Sequence, residues 1–125
     1  QWNQIRFYNY TRDDLSYIKN STIERASTGI HFESASTMKD SNVFRHNTNA
    51  IFADGGSQPI GAYNTFTDND RPIYIYPYRI DGNLYGNSYS NNTKNYIEVA
   101  GGHLADNKTY HWLKDGAPYV ITDPH

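Results

Sequence analysis

A short pattern recurs along this chain at intervals of roughly 22 residues, and it constrains the fold more than any other feature. Segments 42–53 and 64–75 share the order Asn, aromatic, Asn, small residue, isoleucine and a further apolar residue. Weaker copies occupy 21–32 and 87–99, and residues 5–7 match the end of an earlier copy. Each copy contains two short alternating stretches separated by turn residues, which predicts two strands and a bend. Because one copy is too small to bury a core, the repeat predicts the stacked coils of a β-solenoid.

Stacking places equivalent residues of successive coils above one another, about 4.8 Å apart, so that each repeat position becomes a column. The apolar repeat positions then predict the inward face of the solenoid. Three inward columns are expected: Ile23, Phe44, Phe66 and Tyr89; Ile30, Ile51, Ile73 and Ile97; and Phe32, Ala53, Ile75 and Val99.

Asparagine is unusually frequent in this chain, and many of the asparagines occupy fixed positions in the repeat. Stacked amides at a bend can bond to one another and to the backbone of the bend. We therefore interpret the two recurring series as structural ladders rather than as catalytic residues. The two series are Asn42, Asn64 and Asn87, and Asn47, Asn69 and Asn92.

Over residues 15–100 these Asn- and Ile-containing coils resemble those of the pectate-lyase-like right-handed parallel β-helix proteins, and they are most similar to the cell-surface and secreted modules of that group. The resemblance implies an all-β fold over residues 1–102, a right-handed parallel β-helix of about four to five coils of roughly 22 residues each. Residues 103–125 would form a short β-tail. The resemblance says little about function, because this architecture carries lyases, hydrolases, epimerases, adhesins and structural spacers.

Residues 110–121 differ in character from the repeat. Asp115-Gly116 between apolar residues predicts a tight turn between two strands. The run also resembles the lead-in to another β-helical module in large surface proteins. Alternatively, Trp112 and Tyr119 cap the apolar end of the last coil, which solenoids require. The two interpretations are compatible, and the sequence leaves both open.

Composition excludes several function classes. The formal charge of −2 and the pI near 6.2 argue against a nucleic-acid partner. No apolar run approaches the roughly 20 residues of a membrane span, so we expect no membrane insertion. The chain has no cysteine, and its five histidines lack the spacing of metal ligands. We therefore expect no metal and no cofactor.

Carboxylate pairs are the natural candidates for chemistry, since polysaccharide-cleaving enzymes of this fold use clustered carboxylates. Asp13-Asp14 and Asp68-x-Asp70 are the local pairs. The matched positions on neighbouring coils add no further carboxylate, so we interpret the second pair as a solvated turn. The terminal 123–125 tripeptide, Asp-Pro-His, resembles one in alginate C5-epimerases but lies outside the repeat. We assign no catalytic residue.

Aromatic residues give a clearer binding hypothesis. In segment 73–78 the isoleucines alternate inward, so the tyrosines point outward, and one coil earlier Phe52 matches Tyr74. An outward strip of rings could bind sugar rings or a partner protein. Alternatively, the rings stack on one another and stabilise the contacts between coils. The candidate carbohydrate- or partner-binding residues are Phe52, Tyr74, Tyr76 and Tyr78.

The preferred hypothesis is a non-enzymatic structural, adhesive or assembly module of an extracellular or cell-surface protein. Its partners would be neighbouring β-helix modules or copies of itself. A carbohydrate-binding module is the alternative, and a β-helix lyase, epimerase or hydrolase is a third. Four sequons provide candidate N-glycosylation sites for such a location: Asn9, Asn20, Asn91 and Asn107.

Overall fold

The computed structural model describes residues 1–13, 15–36 and 38–122, and its strands follow one another around a solenoid. The strand β1 (Trp2–Phe7) precedes four complete coils, and β14 (Tyr119–Ile121) follows them. The coils contain, in order, β2 (Tyr17–Lys19), β3 (Thr22–Glu24) and β4 (Ala26–Phe32); β5 (Met38–Asp40), β6 (Val43–Arg45) and β7 (Asn49–Ala53); β8 (Ile60–Ala62), β9 (Thr65–Thr67) and β10 (Arg71–Ile75); and β11 (Leu84–Tyr85), β12 (Ser88–Ser90) and β13 (Ile97–Val99). A single-turn 3-10 helix, Pro77–Arg79, follows β10.

The strands form three parallel sheets that run the length of the molecule. The largest has the order β1-β4-β7-β10-β13-β14, and the other two have the orders β2-β5-β8-β11 and β3-β6-β9-β12. All pairings between neighbouring coils are parallel. The prediction of an all-β right-handed parallel β-helix of four to five coils with a short β-tail is therefore confirmed.

The prediction of two strands per repeat was wrong, because each complete coil contains three. The strand that the repeat did not reveal is the one in the sheet β2-β5-β8-β11. Its central paired positions are Ile18, Lys39, Gly61 and Leu84, which share no side-chain character. Without a recurring residue type, periodicity could not indicate this strand.

The apolar columns fill the interior as the repeat predicted. Phe44 stacks on Phe66 with ring centroids 5.0 Å apart, and Phe66 stacks on Tyr89 at 5.1 Å. Ile30, Ile73 and the other members of the isoleucine column are paired in register and buried. Each such side chain contributes roughly 1.5–3 kcal/mol by leaving water. The core is thus a continuous stack rather than a separate cluster in each coil.

Each complete coil bends at two residues in the left-handed backbone conformation. One series has φ between +54° and +67° and consists of Asn20, Ser41, Tyr63 and Gly86. The other has φ between +56° and +62° and consists of Arg25, His46, Asp68 and Asn91. For non-glycine residues this conformation costs roughly 1–2 kcal/mol. In the second, third and fourth coils the residue after each bend is an asparagine of one of the two series, whose hydrogen bonds offset that cost.

No helix among the described residues is both long enough and apolar enough to cross a membrane.

Candidate functional site

The outer face of the six-stranded sheet carries the predicted aromatic column. Strand alternation turns His31, Phe52, Tyr74 and Glu98 away from the core, and the pairing register places them on successive coils. His31, Phe52 and Tyr74 are partly exposed, as are Tyr76 and Tyr78. The structure thus brings the four candidate binding residues together on one face.

Stacking occupies the ring faces of the two central residues of this column. Phe52 and Tyr74 are nearly parallel, with an interplanar angle of 3° and centroids 4.8 Å apart. On the opposite side, His31 meets Phe52 edge-on at 5.0 Å. The guanidinium carbon of Arg71 lies 5.3 Å from the centre of the Tyr74 ring. Phe52 and Tyr74 therefore present ring edges, rather than a flat platform, to solvent.

The two tyrosines beyond β10 are oriented differently. Tyr76 lies at 87° to Tyr74 with centroids 6.1 Å apart, and Tyr78 is tilted by 56° from Tyr76 at 5.8 Å. The chain leaves β10 in the 3-10 helix at this point, so the rings no longer follow the strand. The helix is anchored by Arg79, whose Nε donates to the carbonyl oxygen of Gly55 at 2.8 Å. The rings of Tyr76 and Tyr78 therefore vary more in orientation than the parallel rings of Phe52 and Tyr74.

Titratable side chains end the column in both directions. Glu98 is only 6% exposed. Its Oε1 lies 3.2 Å from Arg71 Nε, and its Oε2 accepts a hydrogen bond from the Thr122 hydroxyl at 2.8 Å. At the other end, burial lowers the pKa of His31 below its ordinary value, and the nearby Arg6 acts in the same direction. The Glu98 carboxylate thus connects β13 with β10 and with the residue after β14, whereas the His31 ring contacts Phe52 of β7.

The second asparagine series forms a continuous buried ladder. Its side-chain oxygens accept hydrogen bonds from the backbone N–H one coil earlier: Asn47 from Ala26 at 2.9 Å, Asn69 from Asn47 at 3.1 Å, and Asn92 from Asn69 at 2.9 Å. Their Nδ2 groups donate back to the carbonyl oxygens of Ile23, Phe44 and Phe66 at 3.0, 2.9 and 3.0 Å. Each asparagine therefore fastens its coil to the preceding coil at the bend.

The first series makes the same bonds through its side-chain oxygens, although among the described residues the Nδ2 of Asn64 has no hydrogen-bond partner, and the series ends in a residue that the repeat did not predict. Asn42, Asn64 and Asn87 are buried, and each side-chain oxygen accepts from the backbone N–H one coil earlier at 2.9 Å. Above Asn87, the next position belongs to Asp115, which accepts from the Asn87 backbone N–H at 2.9 Å and from its Nδ2 at 2.7 Å. Asp115 thus takes the place of an asparagine.

Asp115 also joins the tail to the core. Its Oδ2 accepts from the Tyr89 hydroxyl at 2.7 Å. Burial and this carboxylate raise the pKa of Tyr89 well above its ordinary value, and the same two causes raise the pKa of Tyr119 to about 12. Ala117 and Tyr119 pack against the core beside Trp112. The expected pair of strands around Asp115-Gly116 is not found in residues 103–122, where the single strand β14 pairs parallel with β13.

The carboxylates considered for chemistry lie apart. Asp68 and Asp70 are exposed on either side of the buried Asn69. Asp13 Oδ1 accepts from the backbone N–H of Ser36 at 3.0 Å, whereas Asp14 lies outside the described residues. The 123–125 tripeptide also lies outside them. The described part of the chain contains no group of three or more acidic, histidine or cysteine side chains arranged to hold a metal.

The remaining candidates lie on the surface. The four sequon asparagines, Asn9, Asn20, Asn91 and Asn107, are all exposed. Asn20 and Asn91 occupy left-handed bends, with φ of +54° and +56°. His111 Nδ1 lies 2.9 Å from Asp81 Oδ1, and the His111 backbone N–H donates to the same oxygen at 3.0 Å. This contact attaches the tail to the segment that precedes β11.

Comparison with known proteins agrees with this architecture. No curated protein and no solved structure matches the chain significantly. One family model, described as "Right handed beta helix region", matches residues 3–112, which span all four complete coils and part of the tail. The resemblance to right-handed parallel β-helix proteins is thereby confirmed, and the chain belongs to the right-handed β-helix family.

Proposed function

We propose that this chain is a rigid, non-enzymatic structural module of an extracellular or cell-surface protein, which joins or spaces other β-helical modules. The observation that supports this role is the direction of its side-chain bonding. The buried asparagines bond to groups of the preceding coil, and the stacked rings contact their equivalents on neighbouring coils. Side chains used in this way hold the coils in line and have little capacity left for a ligand.

The ladders contribute most to this stiffness. Each buried asparagine makes at least one hydrogen bond between coils, worth roughly 0.5–1.5 kcal/mol in net stability. Tilting one coil away from the next would break bonds at two bends together. Bending the solenoid would therefore leave buried N–H groups without acceptors, which costs about 1–3 kcal/mol for each group.

Surface charges also pair between coils. Arg45 Nε lies 3.0 Å from Glu24 Oε2, Arg71 pairs with Glu98, and Arg6 pairs with Glu33. The two exposed pairs, Arg45–Glu24 and Arg6–Glu33, contribute little stability because water and salt screen them, whereas Glu98 of the remaining pair is buried. In the proposed role these pairs matter because each joins charges of neighbouring coils, so that the paired charges are not available to an outside ligand.

The test combines ligand binding with stability in one set of variants. The purified chain would be titrated with acidic and neutral polysaccharides, with intrinsic fluorescence and release of reducing ends as readouts. For a structural module we expect no saturable binding and no product, and Tyr74→Ala should lower the unfolding temperature. Tyr63→Ala provides the matched control, because Tyr63 is an exposed tyrosine outside the column. Saturable binding or polysaccharide cleavage by the wild-type chain would overturn the proposal.

Carbohydrate binding is the second candidate, and the turned rings of Tyr76 and Tyr78 favour it. Their tilts of 87° and 56° to the preceding rings give this part of the strip more than one ring orientation. A glycan platform at this position predicts that Tyr76→Ala abolishes polysaccharide binding while the far-ultraviolet circular dichroism spectrum is unchanged. Equal binding by wild type and Tyr76→Ala would exclude this strip as the site.

A further inference from the structure

Large apolar side chains that remain exposed are concentrated at the two ends of the solenoid. Eleven are exposed among the described residues, of which six lie in residues 2–17 and four in residues 104–121. The eleventh, Tyr63, lies on a side wall. The N-terminal set is Trp2, Ile5, Tyr8, Tyr10, Leu15 and Tyr17, and the C-terminal set is Leu104, Leu113, Val120 and Ile121. Large exposed apolar side chains that gather in one part of a molecule are typical of protein–protein contacts.

The six-stranded sheet extends one strand beyond the other two sheets at both ends. Its terminal strands are β1 and β14, and in the described chain each pairs with a strand on one side only. An unpaired strand edge is a template for another strand. Because all strands of this sheet are parallel, the outer edges of β1 and β14 are the two complementary edges of one repeating sheet.

The register of the two terminal strands is also complementary. Pairing carries the isoleucine column from Ile97 to Tyr119 at one end and from Ile30 to Ile5 at the other. In the same way, Ile121 continues the column that reaches Phe7. If β14 of one molecule paired with β1 of another, Tyr119 would lie over Ile5 and Ile121 over Phe7, so both columns would continue across the joint.

We propose that copies of this chain associate head to tail, with β14 of one copy adding to the outer edge of β1 of the next. The partner is a second copy because the molecule itself carries both halves of the contact in one register. The inference rests on the proposed structural role and names its partner. Since such a contact does not close on itself, it produces linear chains of copies rather than a symmetric dimer.

The ladders set the strength of this joint. In both series the asparagine side chain fastens its coil to the coil before it. In β1, which forms the joint, the position of the second series is held by Trp2, which pairs with Ala26 one coil later. Its side chain has no amide, and its indole N–H donates to the Glu24 carbonyl oxygen at 2.7 Å. The joint therefore relies on one strand pair and apolar side chains, which is a small interface of the kind that dissociates readily. We expect an association that depends on protein concentration.

The test uses two variants that each disable one end of the full chain. In sedimentation velocity over a wide concentration range, the wild type should grow in mass beyond a dimer. Ile5→Lys, which disables the β1 end, and Ile121→Lys, which disables the β14 end, should each remain monomeric. An equimolar mixture should form dimers and nothing larger, because each variant retains one functional end.

Controls separate this proposal from its alternatives. Tyr63→Lys on the side wall should assemble like the wild type, and circular dichroism should show that all variants are folded. A wild-type chain that stays monomeric at every concentration would overturn the proposal. So would dimers of Ile121→Lys alone, which indicate a symmetric contact between N-terminal ends. Neither result affects the polysaccharide titration, so failure here can be distinguished from failure of the structural role.

Discussion

The central coils and the C-terminal segment stack on the same core, but they differ in how the chain returns to the largest sheet. The isoleucine column follows the first ladder by nine positions in the second and third coils, from Asn42 to Ile51 and from Asn64 to Ile73. In the C-terminal segment Tyr119, which occupies the same column, follows Asp115 by only four positions. The segment therefore cuts across the bend where the second ladder would continue.

This shortcut shows which parts of a coil are needed to close a solenoid. The segment keeps an acceptor at the first bend, Asp115, and a strand in the largest sheet, β14. As far as the described residues show, it lacks both the second ladder and strands in the other two sheets. The end of the core is thus held by one of the two ladders and one of the three strands that a central coil has. We expect this segment to open locally before the coils unfold.

The largest effect should come from removing a ladder residue in the central coils. Asn69→Ala leaves the backbone N–H of Asn47 without its acceptor in a buried bend, and it removes the bond that Asn69 Nδ2 donates to the carbonyl of Phe44. An unsatisfied buried group costs about 1–3 kcal/mol and each lost hydrogen bond roughly 0.5–1.5 kcal/mol, so we expect a loss of roughly 3–5 kcal/mol in the free energy of unfolding. Urea denaturation followed by circular dichroism would measure it.

The control is Asn107→Ala, which removes an exposed asparagine from the C-terminal segment. Its expected effect is below about 0.5 kcal/mol, as for most surface substitutions. Similar losses for the two variants would mean that the ladder does not distinguish the coils from the tail.

The next effect concerns Asp115, the single ladder residue of the tail. Asp115→Ala removes the acceptor for the Asn87 N–H, the Asn87 Nδ2 and the Tyr89 hydroxyl. We expect a loss of about 2–3 kcal/mol, since hydrogen bonds to charged groups are worth roughly 1.5–3 kcal/mol and the site is only partly buried. The loss should be local, so hydrogen exchange should rise in β14 and hardly change in β7.

Asp115→Asn separates the charge of Asp115 from its place in the ladder, because the asparagine oxygen can still accept from the Asn87 N–H as a regular ladder residue does. It should recover part of the protection of β14. Equal exchange in Asp115→Asn and Asp115→Ala would show that the charge, and not the ladder geometry, holds the tail.

How much of this could be predicted from the sequence follows from the same comparison. The asparagine and isoleucine columns recur at nearly constant steps, so periodicity indicated them without structural information. Asp115 was missed because it follows Asn87 by 28 positions, whereas the earlier steps of that ladder are 21, 22 and 23. The strand pairing of Tyr119 with Ile97 keeps a regular step, but the altered ladder step concealed it.

The left-handed backbone conformation at the bends was hidden for a different reason. The left-handed positions hold residues as different as Arg25, Tyr63 and Asp68, because the backbone geometry is imposed by stacking rather than by the residue at the bend. The outward direction of the aromatic strip followed from alternation along β10. The orientation of each ring did not, since it depends on contacts across coils, such as that of Phe52 with Tyr74.

The rigidity of the central coils and of the C-terminal segment can be compared at two glycines, each of which lies close to a neighbouring backbone. A Cβ at Gly29 would lie 2.6 Å from the carbonyl oxygen of Ala50, and a Cβ at Gly116 would lie 2.4 Å from that of Asn87. Gly29 is held between strands on both sides, so Gly29→Ala should cost about 1–3 kcal/mol. The tail can move away, so Gly116→Ala should cost less than about 1 kcal/mol. A larger loss of thermal stability in Gly116→Ala would show that the tail is as rigid as the coils.

The smallest effect should appear at alkaline pH and should again be confined to the tail. Burial and the Asp115 carboxylate raise the pKa of Tyr119 from 10.0 to about 12, so the folded state favours the neutral phenol. This stability is fully present below pH 10 and is lost as the pH rises towards 12. Because Tyr119 is half-exposed, the loss should be about 1 kcal/mol or less.

Tyr119→Phe isolates this contribution from that of the other tyrosines. The phenylalanine lacks the hydrogen bond from the hydroxyl to the Leu113 carbonyl, 2.7 Å long in the wild type, so the variant starts slightly less stable at neutral pH. Between pH 10 and 12 its melting temperature should fall less than that of the wild type, and the two curves should converge. If the Tyr119→Phe and wild-type curves ran parallel, the phenol of Tyr119 would not stabilise the tail, and the buried Tyr89 would cause the alkaline loss.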